Sequence, residues 1–399
     1  MPKILYGISP IGLGHATRSL VVLGLLAKAG AAVKVFSGGE AVEFLRNQGL
    51  DVADIVADTP PRVADGKMTW ASTWYLRSWL GHRKTLPRVR RLFDTFGPDL
   101  VVCDEEFAGV SVAGERQVKR VFISDELELG FARSWLARKI EGRVYRWYRQ
   151  LQDSVDLLII PDQGVDRGNR RFVGPMAREV GADSLQTRTK HDLPSEGQMV
   201  LLSLSGSGLG DYLIPRTVEA MRDARMMGSF LVITGNRGKK VSSVGVHDLG
   251  VVDDNQDLVA CADVVVSSAG KSTIDEAGAA GTPIVVVPIK NHAEQERNAA
   301  ALGYSPGDLD RLSQLIAEKI GRRGAKVTSG GAEKACELIM ALAQSNERGP
   351  ARKDEGPPGP LPSGSLSVTP RTVRPREPTG SLPSWQGRPP GGPPPGGRG

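Results

Sequence analysis

Between Ser267 and Leu302 the chain reads SSAGKSTIDEAGAAGTPIVVVPIKNHAEQERNAAAL, a strand, loop, helix, strand, loop, helix unit with polar groups where a nucleotide could be held. Ala262 to Ser267 (ADVVVS) has the apolar run of a buried strand, and SAGKST turns it into a helix whose first amide groups lack partners inside the helix. Ser268, Ala269, Gly270, Lys271 and Ser272 therefore form a natural seat for a diphosphate. Glu276, in the first helical turns, is placed to accept both hydroxyls of a ribose. Gln295 and Asn298 are three residues apart, so on a helix they share a face and can converge on one polar ligand. The same residues admit plainer readings. Ser272 with Asp275 and Thr273 with Glu276 have the spacing of capping boxes. GKST resembles the end of a phosphate-binding P-loop, but that pattern requires glycine at position 265, which is Val265.

A second unit of this kind lies near the N-terminus. Lys3 to Ile8 is a short apolar strand that runs through SPIGLGHATR into an apolar helix reaching about Ala29. Gly12 and Gly14 fit the opening of the dinucleotide fingerprint, with Thr17 at its third glycine position. His15 falls at the helix N-terminus, where the macrodipole disfavours protonation, so a neutral imidazole able to accept a proton is expected, with Arg18 one turn on. Two carboxylates fall at strand ends, Asp104 after DLVVC and Asp125 after VFIS. Either can orient His15 or hydrogen-bond an acceptor, and Asp125 is taken as the candidate; the plainer reading is a helix cap or turn.

These units belong to a repeated plan. Strand candidates at 3–8, 32–36, 51–55, 99–103, 119–123 and 155–160 alternate with helices, as do those at 199–204, 229–233, 246–251, 263–267 and 284–287. Alternation of this kind implies α/β architecture, with parallel sheets covered on both faces. The expected organisation is two doubly wound Rossmann-like domains, 1–160 and 199–346, joined by a linker at 161–198 that contains Arg178. Ligands in such sheets bind beyond the carboxyl ends of the strands. His15, Ser207 and Gly270 all lie in loops of that class.

A length of 399 residues with 40% apolar content suffices for two cores. Residues 347–399 differ, with 14 Pro and 11 Gly and no apolar period, and are expected to be a disordered tail. That tail carries eight Lys or Arg against four acids, so most of the net charge of +6 belongs to it. Cys103, Cys261 and Cys336 match neither a zinc pattern nor a disulfide framework. No leader pattern or membrane-spanning apolar run is apparent, and a cytoplasmic location is expected. Asp308 and Asp310 form an Asp-x-Asp at an expected helix start, where acids suit the dipole. No metal and no cofactor are expected.

Five of the six tryptophans fall in two basic segments. Trp70, Trp74 and Trp79 precede HRKTLPRVRR, and Trp135 and Trp147 stand among Arg133, Arg138, Lys139, Arg143, Arg146 and Arg149. Tryptophan with arginine suits the interface of an anionic membrane, and peripheral contact with the inner face of a membrane is the preferred reading. Core aromatics with a solvated basic face, or RNA contact, are the alternatives.

Taken together, IGLGHATRS, GPMAR at Gly174 to Arg178, SGSG at Ser205 to Gly208, and ADVVVSSAG followed by Glu276 and HAEQERN resemble the glycosyltransferases typified by the bacterial peptidoglycan lipid-linked N-acetylglucosaminyltransferase, a group that includes plant diacylglycerol galactosyltransferases. The resemblance spans roughly residues 3 to 345. It implies the GT-B fold, with an acceptor bound mostly in the first domain and a UDP-sugar mostly in the second. By the same resemblance His15 corresponds to the histidine near the reaction centre, with Gly12 and Gly14 in the acceptor loop, and Arg178 to an interdomain arginine near the donor. Ser207, beside Gly208, corresponds to the serine of the phosphate loop, Glu276 to the ribose-binding glutamate, and Gln295 and Asn298 to the pair that contacts the sugar. Departures are PIGLGH for a more glycine-rich loop, SGSGL for GGSQG and GPMAR for GNPVR. The implied reaction moves an N-acetylhexosamine or hexose from a UDP-sugar to a hydroxyl or phosphate acceptor, lipid-linked in the type member. Nucleotide-sugar 2-epimerases share the fold, and a non-catalytic donor-binding or membrane-recruiting subunit is the remaining alternative.

Overall fold

The computed structural model describes residues 1–125, 135–204 and 206–345. Ser205, Arg133 and the tail expected to be disordered lie outside these. Fourteen strands occur among the described residues: β1 (Lys3–Ile8), β2 (Ala32–Ser37), β3 (Val52–Asp54), β4 (Arg62–Ala64), β5 (Lys67–Thr69), β6 (Leu100–Asp104), β7 (Lys119–Ile123), β8 (Leu157–Ile160), β9 (Arg170–Phe172), β10 (Gln198–Ser203), β11 (Ser229–Thr234), β12 (Val246–Gly250), β13 (Val264–Ser267) and β14 (Ile284–Val286). The helices are α1 (Leu13–Lys28), α2 (Gly39–Asn47), α3 (Ala71–Phe96), α4 (Phe107–Glu115), α5 (Trp135–Ser154), α6 (Ser184–Lys190), α7 (Leu213–Ala220), α8 (Asn255–Cys261), α9 (Lys271–Ala280), α10 (Ala293–Ala301), α11 (Leu312–Lys319) and α12 (Gly331–Gln344).

Two parallel sheets result. The first has the order β3-β2-β1-β6-β7-β8-β9 and the second β12-β11-β10-β13-β14. Alternation along each strand supplies a core on either face. In β1, Ile4, Tyr6 and Ile8 point to one core and Leu5 to the other; in β10, Val200 and Leu202 oppose Met199 and Leu201. Both sheets are thus doubly wound, and both fall within one compact unit. Each has a point where the strand order reverses, between β1 and β6 in the first sheet and between β10 and β13 in the second. Loops leaving two such strands diverge to opposite faces and open a crevice. The loops carrying His15, Ser207 and Gly270 all leave these four strands.

Three features depart from the plan expected from the sequence. Strand β9 pairs with β8 through Leu158–Arg170 and its neighbours, so the first sheet extends into the 161–198 segment. Helix α12 lies within 199–346 but closes the first core, where Ala332, Ala335, Cys336, Ile339 and Met340 pack. Its apolar stripe needs a partner, and the face of the first sheet beside α1 supplies it. The third feature is the antiparallel β4–β5 hairpin, joined by Asp65 and Gly66, both left-handed, a geometry typical of two-residue hairpin turns.

The chain passes between the sheets twice, and the two passages touch. Gly331 N–H donates to the Pro175 carbonyl (3.1 Å) and the Ser329 hydroxyl to the Ala177 carbonyl (3.4 Å). A Cβ on Gly331 would lie 2.3 Å from the Gly174 oxygen and 2.5 Å from that of Pro175. Gly331→Ala is therefore expected to cost about 1–3 kcal/mol through backbone displacement, read as a lowered Tm. Gly330→Ala is the control, since nothing lies within 4 Å of an added Cβ there, and equal melting of the two variants would contradict the assignment.

Candidate active site

The start of α1 faces the start of α9. Ser272 Oγ donates to the Gly14 carbonyl (3.1 Å), and a Cβ on Gly14 would lie 2.9 Å from that hydroxyl oxygen, so a side chain there would displace the serine hydroxyl. Gly206, left-handed, abuts Leu13 at 2.7 Å from where its Cβ would be. Neither Gly12 nor Gly270, the N-cap residues of α1 and α9, supplies a side-chain cap, so the first amides of both helices remain available. A cleft of about 200 Å³ lies between the halves, and Gly12, Gly14, His15, Asp125, Arg178, Ser207, Gly270, Lys271, Ser272, Glu276 and Gln295 line it.

On the first-half wall, Asp104 is the organising group. Fully buried at the end of β6, its carboxylate meets His15 Nδ1 (2.9 Å), accepts from Arg18 Nε (2.7 Å) and Nη2 (2.5 Å), and accepts from Ser19 Oγ (3.0 Å). Burial alone would raise its pKa, but Arg18 and His15 hold it well below the ordinary carboxylate value. Asp125, the carboxylate anticipated against His15, meets Arg18 Nη1 instead (3.1 Å). The reason is topological: β1 and β6 are adjacent strands, so a residue ending β6 lies beneath the first turn of α1.

His15 is 23% exposed. Burial and the Arg18 guanidinium push its pKa down, the hydrogen bond and charge of Asp104 push it up, and the net direction is upward. This reverses the direction expected from the helix dipole alone. With a proton on Nδ1 donated to Asp104, Nε2 is left as the proton acceptor. Next in sequence, Glu105 is left-handed (φ 49) and accepts from Ser124 Oγ (2.5 Å) and Tyr148 OH (3.1 Å). Burial pushes its pKa up to about 7.

On the second-half wall, α9 begins at Lys271 with Gly270 as N-cap, so neither anticipated capping box forms. Asp275 instead pairs with Lys271 Nζ (2.5 Å), and burial, partly offset by Lys271, pushes its pKa up to about 6. Glu276 accepts from Arg178 Nε (2.9 Å), the side chains being 5% and 8% exposed, and Arg178 Nη1 donates to the Asp253 carbonyl (2.8 Å). Arg178 is therefore a counter-charge to Glu276. Ser268 and Ala269 are buried in the turn, Ala269 in the left-handed region (φ 67). Asn298 Nδ2 donates to the Ala269 carbonyl (3.2 Å), and Gln295 Oε1 accepts from Ile289 N–H (3.0 Å). Both amides brace loops; Gln295 lines the cleft, whereas Asn298 is not among its lining residues. Gly208, left-handed and exposed, turns the loop after β10.

The first part of the chain matches the family model described as glycosyl transferase family 1 (residues 2–129), and a later part that of the glycosyltransferase family 28 C-terminal domain (residues 217–319). The fold is that of the calicheamicin glycosyltransferase CalG4 (TM-score 0.57, 18% identity, 87% of this chain and 100% of that one) and of the spinosyn rhamnosyltransferase SpnG (TM-score 0.56, 15% identity, 85% and 96%). The chain is a glycosyltransferase of the GT-B fold. Among sequence relatives, it is 26% identical to an uncharacterized glycosyltransferase of Methanosarcina acetivorans over 75% of this chain and 83% of that protein. It is 24% identical, over 73% and 81%, to the UDP-N-acetylglucosamine--N-acetylmuramyl-(pentapeptide) pyrophosphoryl-undecaprenol N-acetylglucosamine transferase of Natranaerobius thermophilus.

The cleft of this glycosyltransferase holds a polar cluster that the sequence reasoning missed. Thr234 Oγ1 donates to Asn255 Oδ1 (2.7 Å), and Asn255 Nδ2 to Ser203 Oγ (3.2 Å). Ser203 and Thr234 end β10 and β11, so the strand-end rule applied to every strand would have found them.

On the expectation that His15 takes the acceptor's proton, and must be unprotonated to do so, transfer should rise with pH through the His15 pKa, above the ordinary imidazole value. Asp104→Asn removes the main upward influence while Arg18 stays. The acid limb of kcat/KM should then move to lower pH and the plateau fall about a hundredfold or more. An unshifted limb would separate Asp104 from the proton-accepting group.

Proposed function

We propose that this glycosyltransferase moves an N-acetylhexosamine or hexose from a UDP-sugar to a hydroxyl or phosphate oxygen of an acceptor carried on a lipid. The observation that supports this most is the shared cleft: a free helix start, a buried Glu–Arg pair and an imidazole backed by the buried Asp104 carboxylate meet at one cavity. The UDP and the lipid carrier draw further support from the name of the Natranaerobius relative.

In this reading the acceptor oxygen attacks the anomeric carbon, the bond from that carbon to the diphosphate breaks, and UDP departs with the electron pair. His15 Nε2 takes the acceptor's proton, and Asp104 stabilises the imidazolium so formed. The α9 amides, Lys271 and Ser207 receive the developing diphosphate charge, which assigns no step to a metal ion. Glu276, held by Arg178, accepts the ribose hydroxyls, and Gln295 faces the sugar. Asp125 steadies Arg18 at the acceptor side.

The lipid carrier agrees with the outer surface of α3 and α5. Trp70 and Trp135 are 69% and 67% exposed, Leu76 and Leu80 are exposed nearby, and Arg138, Lys139, Arg143, Arg146 and Arg149 are exposed on α5. Trp74 and Trp147 turn inward, the first donating to the Thr59 carbonyl (2.8 Å) and the second packing on Phe107, so only part of the aromatic set faces out. Among the described residues no helix is long and apolar enough to cross a membrane. Contact would be peripheral, each cation near an anionic surface contributing about 1 kcal/mol.

Two outcomes are expected. His15→Ala should bind UDP within about twofold of wild type while transfer falls by about two orders of magnitude or more; undiminished turnover would remove His15 from the mechanism. Conversion of the donor in the absence of acceptor would favour the epimerase instead. Arg138, Arg143, Arg146 and Arg149 changed together to Glu should abolish sedimentation with phosphatidylglycerol vesicles, and retained binding would reject the α5 surface.

A further inference from the structure

The β4–β5 hairpin leaves the first sheet and joins the second half at the loop that leads into the cleft. Lys290 N–H donates to the Gly66 carbonyl (2.8 Å), and Met68 N–H donates to the Lys290 carbonyl (2.8 Å), a parallel bridge between Lys67 and Lys290. Gly66 is left-handed, and a Cβ there would lie 2.7 Å from the Tyr212 ring. Met68, Tyr75 and Ile289 form a small buried cluster, against which Leu209, Tyr212 and Ala293 pack. Neither hairpin strand pairs with either large sheet.

Backbone hydrogen bonds show what this attachment does. The Ile289 N–H is taken by Gln295 Oε1 (3.0 Å), and the Ile289 carbonyl by His292 N–H (3.1 Å), both from the start of α10. The next residue, Lys290, has its N–H and its carbonyl taken by the hairpin. Asn291 follows in the left-handed region (φ 68), and then come His292, Glu294 and Gln295, which line the cleft. The path of this loop is thus fixed from two sides, one in each half. Without the hairpin, Lys290 would lose both partners and Ile289 would lose the cover of Met68. The first turn of α9, by contrast, follows directly from β13 and is held on the first half by Ser272 against Gly14.

We propose that the β4–β5 hairpin is a specificity-determining brace, an element of the first half that fixes how the 289–295 loop meets the sugar of the donor. This rests on the reading of the second half as a nucleotide-sugar site. Its consequence is selective. Nucleotide and diphosphate contacts belong to α9 and its neighbours and survive loss of the brace, whereas discrimination among sugars does not.

The test uses the full chain with UDP, UDP-glucose, UDP-galactose and UDP-N-acetylglucosamine as titrants. Met68→Asp places a charge in the apolar cluster and should unseat the hairpin. Affinity for UDP should stay within about twofold of wild type, while the ratio between the best and worst UDP-sugar contracts by about tenfold. Met68→Leu should restore the ratio. Should Met68→Asp fail to fold, Lys67→Cys combined with Lys290→Cys pins the brace: the oxidised protein should keep the wild-type ratio and the UDP affinity. An unchanged ratio in folded Met68→Asp overturns the proposal, as does lost discrimination in the cross-linked protein. If wild type binds none of the four titrants, the nucleotide-sugar reading itself fails, a result distinct from either.

Discussion

Everything in this molecule depends on the first turns of two helices, one from each half, being able to meet. The Ser272 hydroxyl reaches the Gly14 carbonyl where a Cβ on Gly14 would crowd it, and the Leu13 side chain packs where a Cβ on Gly206 would stand. That meeting brings together the reversal points of two sheets that are otherwise separate in their cores. Each reversal point would be a shallow crevice alone. Facing each other, they form a cleft with a helix start on both walls, where unpartnered amides favour negative charge.

Charge is arranged around that cleft in two buried pairs with different partners. Asp104 is saturated by His15, Arg18 and Ser19, and this saturation, not the pairing alone, lets a carboxylate stay ionised out of water. Arg18 also reaches Asp125, so it ties the interior of the site to its acceptor-side wall. Across the cleft, Glu276 and Arg178 neutralise one another, and Arg178 is further fixed by the Asp253 carbonyl. Both arrangements are held by the protein's own side chains and backbone, and groups fixed in this way need little reorientation at the moment charge moves.

How much of this the sequence disclosed follows from the range of the interactions. The apolar runs and their turn residues located the strands of both sheets within a residue or two at most positions, because a doubly covered strand is marked locally. The strand-to-helix turns that bring Gly12, Gly14, His15, Gly270 and Glu276 to the cleft wall were marked locally in the same way. Partners set by tertiary contact were not. Asp104 and Asp125 sit at equivalent strand ends, and only the adjacency of β1 and β6 places Asp104 under His15. Capping-box spacing around Asp275 and Glu276 was real, yet Lys271 and Arg178 took those carboxylates. Helix α12 has the apolar stripe of any amphipathic helix, and nothing local says that it returns to the first core. The ADGK turn of the β4–β5 hairpin did carry a local signal, an Asp-Gly pair between short extended segments, that went unread.

The central claim, that diphosphate and imidazole occupy one cavity, is open to a direct measurement: the His15 imidazole resonances followed by NMR across a pH series with and without saturating UDP. The account predicts that UDP displaces these resonances and raises the pH at which His15 titrates, since a bound polyanion nearby favours the imidazolium. UDP that binds while leaving the His15 titration unmoved would contradict it.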